Sequence, residues 1–206
     1  MGAPRTPIDS RPEQTLLALR LHDGRDDDEP TRILAARDGD ASARAWLIDK
    51  WSGPVYRFCR RMLSHDQDGR DAAQDTMVKV LRNLDRYDPS RPFATWVFQI
   101  ARNTCIDEHR RRKRRPSRET KEIADDRNPS PLQMAAHHQR AEILERALQD
   151  LPPMYREIIV LYHFEHKKYT EIAEVLDLPM GTVMNRLFRA RKKLRLAYEE
   201  RGGDSP

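Results

Sequence analysis

The sequence predicts an all-α protein of two small helical domains joined by a flexible linker, the second carrying a helix-turn-helix. Three observations predict it. Apolar residues recur at three- and four-residue steps through 31–115 and again beyond 134, with no alternating strand pattern in either stretch. Between them a polar segment contains Pro116, Pro129 and Pro131 and sustains no apolar stripe. Over 169–195 a short amphipathic segment, a tight turn and a longer basic segment follow one another.

Residues 1–30 are rich in Pro, Arg and Asp with little periodicity, so a disordered extension is expected. Its acidic run at 26–29 reads as solvated rather than metal-binding. The first domain, 31–115, has candidate helices over 33–37, 41–50, 55–63, 71–84 and 94–115. Ser52-Gly53-Pro54, 64–69 and 87–92 punctuate them. After a linker placed at 116–136, helical patterning runs to Leu151, stops at Pro152-Pro153 and resumes over 154–164. The second domain covers 137–200, with a tail over 201–206. In its helix-turn-helix, Thr170 is the expected N-cap, Glu171 sits in the first turn, and Ile172, Ala173 and Leu176 face inward. In the following helix Val183, Leu187, Ala190, Leu194 and Ala197 form the buried face. Met184, Asn185, Arg186, Phe188, Arg189, Arg191, Lys192 and Lys193 are then expected outward.

Charged residues make up 34% of the chain and apolar residues 38%, a balance that suits helical bundles with wide solvated faces. The net charge of +5 is unevenly spread: 110–118 and 181–195 are strongly basic, and the latter holds six cations and no acid. Separated basic blocks imply a polyanion touched at more than one place. Cys59 and Cys105 fall inside apolar patterns and read as buried, reduced thiols. No apolar run approaches the roughly 20 residues of a membrane span, and no signal-peptide core is present. A cytoplasmic protein is expected. His137-His138 and the pair His163 and His166 lack a Cys or carboxylate to complete a tetrahedron, so neither a metal nor a cofactor is expected.

Four segments carry chemistry. The second helix of the helix-turn-helix presents an amide and several guanidiniums, the groups that read base edges and hold phosphates. Segment 71–84 places Ala73, Met77, Val80 and Leu84 on one face and leaves Gln74, Asp75, Lys79 and Arg82 outside, where charges alone usually mean only a solvated surface. The proline-stiffened loop from Tyr87 to Trp96 could hold an unstacked base among Tyr87, Arg91, Phe93 and Trp96, though Phe93 and Trp96 serve equally well as core anchors. The next helix carries Gln99, Arg102, Asn103 and Arg110 along one side and ends in six cations at 110–115, whose pull on nucleic acid is largely sequence-blind.

These blocks, in order and at this spacing, resemble the extracytoplasmic-function (ECF) group of bacterial RNA polymerase sigma factors, over roughly 33–115 and 143–197. The signatures are Asp71-Ala-Ala-Gln-Asp75, the block 86–96, Ile100-Ala-Arg-Asn103, Leu151-Pro-Pro, Tyr169-Thr-Glu-Ile-Ala173 and Gly181-Thr-Val183 with Arg186-Leu187 and Arg189-Ala-Arg191. The resemblance implies a first domain that docks on the polymerase β′ clamp through Asp71, Gln74, Asp75, Lys79 and Arg82. It implies recognition and melting of the −10 element by Tyr87, Asp88, Arg91, Phe93, Trp96, Gln99, Arg102, Asn103 and Arg110. The −35 element would be read by Thr182, Met184, Asn185, Arg186, Phe188, Arg189, Arg191 and Lys192, with Arg186 and Asn185 at base edges and Arg189, Arg191 and Lys192 on phosphates. Core polymerase (β′ clamp and β flap), promoter DNA and an anti-sigma factor are the implied partners.

Several positions depart from the pattern. Met184 stands where the family usually has Lys or Arg, Asp177 replaces a turn glycine, His166-Lys-Lys168 replaces a Gly-containing loop, and Ala73 a larger apolar residue. Two rivals differ in class. A recombinase would need a nucleophilic Ser or Tyr among clustered arginines or a metal-binding carboxylate triad, and Tyr198 at the chain end has no such surroundings. A free-standing helix-turn-helix regulator leaves the first domain's signatures unaccounted for.

Overall fold

The structure is a computed structural model that describes residues 28–114 and 133–203; the N-terminal extension, the proline-containing linker and the last three residues lie outside it. The side chains of 113–114 and of 133–138, including His137 and His138, are likewise outside the described set. Among the described residues all regular structure is helical.

Helix α1 (Glu29–Arg37) starts inside the expected extension, because Pro30 is tolerated in a first turn and Glu29 pairs with Lys50 at 3.2 Å. Helix α2 (Ala41–Met62) is capped by Asp40, whose carboxylate accepts from the Ala43 N–H at 2.7 Å. It runs straight through Ser52-Gly53-Pro54, where the sequence led us to expect a break. An interior proline costs about 3 kcal/mol. Leu47, Trp51, Val55, Phe58 and Met62 form an unbroken buried stripe across it, at about 1.5–3 kcal/mol per side chain. Burial wins.

Helix α3 (Asp66–Arg82) also starts earlier than expected, at Asp66 rather than residue 71. Asp66 and Asp68 complement the first turn, and Gly69 is a contact rather than a break. A Cβ there would lie 2.9 Å from the Cα of Arg60, so the glycine lets α2 and α3 cross closely. A 3₁₀ turn (Leu84–Arg86) and a loop lead into α4 (Phe93–Arg114). The core between α2 and α4 is aromatic: Trp51 meets Phe93 at 5.6 Å and Phe98 at 6.2 Å, and Phe58 meets Phe98 at 5.3 Å. Cys59 and Cys105 are free and buried side by side; the hydrogen bond to Cys59, then burial, pushes the Cys105 thiol well up. Cys105 is therefore a poor nucleophile.

The second domain comprises α5 (Gln133–Asp150), α6 (Pro153–Ile159), a π-helical turn (Val160–Phe164), α7 (Tyr169–Leu176) and α8 (Met180–Glu200). Thr170 is not the N-cap of α7. Lys168 occupies that position, and its N–H donates to the Glu171 carboxylate at 2.9 Å, which leaves Thr170 in the first turn. Asp177 ends α7 in the left-handed region, φ 52°, as its replacement of a glycine requires. His166 is left-handed too, φ 51°. In α8, Val183, Leu187 and Ala190 are buried as expected, whereas Leu194 and Ala197, nearer the helix end, are only half-buried.

The domains pack on one another. Arg156 of α6 is buried and donates to the carbonyls of Leu148, Gln149 and Leu151 in its own domain and of Met62, at 2.8 Å, in the other. Gln149 donates to the Arg61 carbonyl at 3.1 Å, the Arg61 guanidinium lies 4.1 Å above the Phe164 ring, and α4 rests against α7.

Candidate nucleic-acid interface

Three surfaces hold the residues singled out from sequence. On α3, Asp71, Gln74, Asp75 and Arg82 are exposed at helical spacing, with Asp71 accepting from Gln67 at 2.9 Å. Val78 sits among them, 39% exposed, and the sequence reading missed it because an isolated apolar residue carries no periodic signal. Lys79 requires a correction: it does not face outward but reaches across to α4, where its ammonium donates to the Thr104 hydroxyl at 3.0 Å.

The loop before α4 is organised by aromatics. Tyr87 is buried, and Phe93 takes the core-anchor role that the sequence left equally open. Their rings meet edge-on at 4.9 Å, and the Tyr87 hydroxyl donates to the Arg91 carbonyl at 2.7 Å. Burial pushes the Tyr87 phenol up, so it stays a donor and fixes the loop. Trp96, packed on both rings, is half-buried and forms a ridge between two clefts. One, of about 300 Å³, is lined by Lys79, Asn83, Arg86, Ile100, Asn103 and Thr104; the other, of about 120 Å³, by Arg86, Asp88, Arg91, Thr95 and Gln99 beside Tyr87. Arg86 and Thr95 lie in the signature block 86–96 without a role of their own there, and Asn83 was not singled out because only the fold brings it beside Trp96. Asp88 accepts from the Ser90 N–H at 2.9 Å, which holds its carboxyl below the usual range and shapes the rim near the exposed Arg91.

Farther along α4 the basic run is not without anions. Arg110 lies 4.0 Å from Asp107, Arg111 2.7 Å from Glu108, and Arg112 pairs with Asp68 of α3. Asn103 is exposed, whereas Gln99 and Arg102 face the second domain: Gln99 donates to the Glu174 carbonyl at 2.8 Å and Arg102 to the Glu157 carboxylate at 2.8 Å.

On α8, Met184, Asn185, Phe188, Arg189, Arg191 and Lys192 are exposed and Thr182 is half-buried. Arg191 stacks 4.9 Å above Tyr162 and donates to the His163 ring nitrogen at 3.2 Å, which needs the neutral imidazole. Burial and the Arg191 charge both lower the His163 pKa and favour that form. Arg186 is the second correction. It turns inward, 3.6 Å from the same Glu157 carboxylate, with a side chain only 19% exposed. The buried partner lies on α6, so the periodicity of α8 alone gave no sign of it. Met180, Met184 and Phe188, 46%, 54% and 72% exposed, line one outer edge of the helix. Among the described residues no three His, Cys, Asp or Glu side chains gather as a metal site, and no helix is long and apolar enough to cross a membrane.

Comparison with known proteins decides the family. The description "Sigma-70 region 2" matches residues 37–115, and "Sigma-70, region 4" matches 141–194. The chain is 30% identical to the ECF RNA polymerase sigma factor SigW of Bacillus subtilis, across 80% of this chain and 93% of that one. The chain belongs to the ECF sigma factor family. It is 32% identical to SigE of Mycolicibacterium smegmatis, across 82% of this chain and 68% of that one. Among solved structures, CnrH in complex with the cytosolic domain of CnrY matches with a TM-score of 0.65 at 28% identity, across 84% of this chain and 99% of CnrH. This sigma factor is thus an RNA polymerase specificity subunit in a family of DNA-recognition proteins, and the free-standing regulator is not favoured.

Proposed function

We propose that this sigma factor docks on core RNA polymerase through the α3 face, Asp71, Gln74, Asp75, Val78 and Arg82, toward the β′ clamp. Region 4 would sit near the β flap. The −10 element is captured around Trp96, with Asn103, Asp88 and Arg91 at the clefts and Arg110 on the backbone, while Tyr87 and Phe93 brace the loop from behind. The −35 element lies on α8, with Asn185 at base edges and Arg189, Arg191 and Lys192 on phosphates. The observation that carries this reading is the Trp96 ridge between two open clefts on one domain, with an exposed, acid-free basic stretch of α8 on the other. The protein acts without catalysis of its own, in the cytoplasm, under an anti-sigma partner. CnrH is likewise in complex with a second protein, the cytosolic domain of CnrY.

Run-off transcription with purified core polymerase and a mixed promoter library tests it. Transcripts from a defined promoter subset, absent with core alone, are expected. DNA binding without polymerase association overturns the reading.

A narrower prediction concerns Met184 and Phe188. Apolar side chains beside cations suit thymine methyl groups in the major groove. Burying one methyl contributes about 0.8 kcal/mol. Replacing a contacted thymine by deoxyuridine should therefore weaken −35 binding by the holoenzyme roughly fourfold. Phe188→Ala should make binding indifferent to the replacement, as measured by competition between the two duplexes.

A further inference from the structure

Glu157 holds two arginines assigned to different promoter elements. Its carboxylate is 5% exposed; one oxygen takes the Nε of Arg102, from α4, at 2.8 Å, and the other lies 3.6 Å from Arg186 of α8. Beside it, Gln99 of α4 donates to the Glu174 carbonyl of α7 at 2.8 Å. The Lys167 ammonium lies 5.3 Å from the Phe98 ring, across the same seam. Three side chains read as DNA contacts are therefore occupied by the protein itself.

Geometry makes this consequential. The −10 and −35 elements are roughly 25 base pairs apart, or about 85 Å at 3.4 Å per pair. Arg102 and Arg186, on opposite oxygens of one carboxylate, cannot serve both at once. We infer that the packed arrangement is a self-locked state, in which Glu157 stands in for DNA phosphate and must release Arg102 and Arg186 before both elements can be engaged. The inference rests on the sigma reading above and on its assignment of α4 and α8 to separate elements.

The chemistry favours a latch over incidental packing. Both guanidiniums are largely shielded, 24% and 19% exposed, so the attraction is less screened than in a surface pair. Opening exposes all three charges to water, and the arginines then gain phosphate partners while Glu157, on the inner face of α6, gains none. Polymerase, by holding the domains apart, would supply the opening that DNA alone supplies poorly.

The test compares the full-length protein with two variants. Glu157→Gln keeps the shape and removes the charge; Arg102→Gln breaks the pair from the first domain, far from any −35 contact. Affinity is measured by anisotropy, without polymerase, on a labelled duplex carrying the upstream element selected in the run-off assay. Domain separation is read by energy transfer between dyes at Asp85→Cys and Glu200→Cys, both exposed, while Cys59 and Cys105 remain buried. Both variants are expected to bind the duplex at least fivefold tighter with reduced transfer, although Arg102→Gln removes a cation. Holoenzyme made with Glu157→Gln should transcribe like the wild type. Unchanged affinity and transfer in the folded variants overturn the latch, and Arg102→Gln decides alone if Glu157→Gln fails to fold. Promoter-specific transcripts together with unchanged duplex binding overturn only the latch; absence of such transcripts from the wild type overturns the sigma reading beneath it.

Discussion

Replacing Arg156 by alanine is expected to cost about 3–5 kcal/mol of stability, because it strips donors from buried backbone at two helix ends. Arg156 is 8% exposed, and its guanidinium meets the carbonyls of Leu148 at 3.1 Å, Leu151 at 3.2 Å and Met62 at 2.8 Å, and that of Gln149 as well. Leu148 and Gln149 belong to the last turn of α5, and Met62 is the last residue of α2. Helix C-termini leave carbonyls without intrahelical donors, and a cation is well placed there. Burial lowers the Arg156 pKa, but arginine starts so high that the group stays charged at neutral pH. Lysine keeps the charge and loses the planar fork, so Arg156→Lys should recover only part of the loss. Urea denaturation checks the scale. The Met62 bond adds a second expectation: with one of the interdomain donors gone, the transition should broaden, while Gln149, Gln99 and Arg102 still bridge the domains. A transition of unchanged width at wild-type stability would show that the carbonyls find water instead.

What the sequence disclosed, and what it did not, divides along one physical line. Periodicity describes a helix by itself. It therefore placed the buried stripe of α8, and the left-handed turn at Asp177 followed from the residue's own tolerance. It failed where the answer belongs to another element. Pro54 looked like a stop because its cost is local, whereas the stripe that overrides it is spread along α2 and realised only against the neighbouring helices α1, α3 and α4. Gly69 looked like a break because nothing in the sequence shows Arg60 crossing over it. Lys79 and Arg186 looked outward for the same reason. Each lies on the solvated side of its own helix's pattern and is turned inward by a partner, Thr104 in one case and Glu157 in the other. Tyr87 and Phe93 were open to base stacking or to the core because their composition suits either role; the edge-on contacts of Phe93 with Trp51 and of Tyr87 with Phe93 assign them to the core.

Trp96 is the aromatic face left over by that assignment, and its loss should cut promoter opening more than any other change in the −10 surface. Stacking a base on an aromatic side chain contributes about 1–3 kcal/mol. Trp96→Ala should then reduce open-complex formation by roughly 5- to 150-fold at about 1.36 kcal/mol per tenfold. Permanganate reactivity of unpaired thymines would read the loss directly. Trp96 also packs on Tyr87 at 5.4 Å and Phe93 at 5.5 Å, so a fall in activity alone would not separate capture of a base from damage to the loop. A template with a pre-opened −10 bubble separates them. If Trp96 holds a base that has already left the stack, the defect on the bubble keeps the size of the lost stacking contact and vanishes when the captured base is replaced by an abasic site, with Trp96→Phe near wild type. If Trp96 only braces the loop, the bubble restores nothing, the alanine variant melts earlier, and phenylalanine rescues stability and opening together.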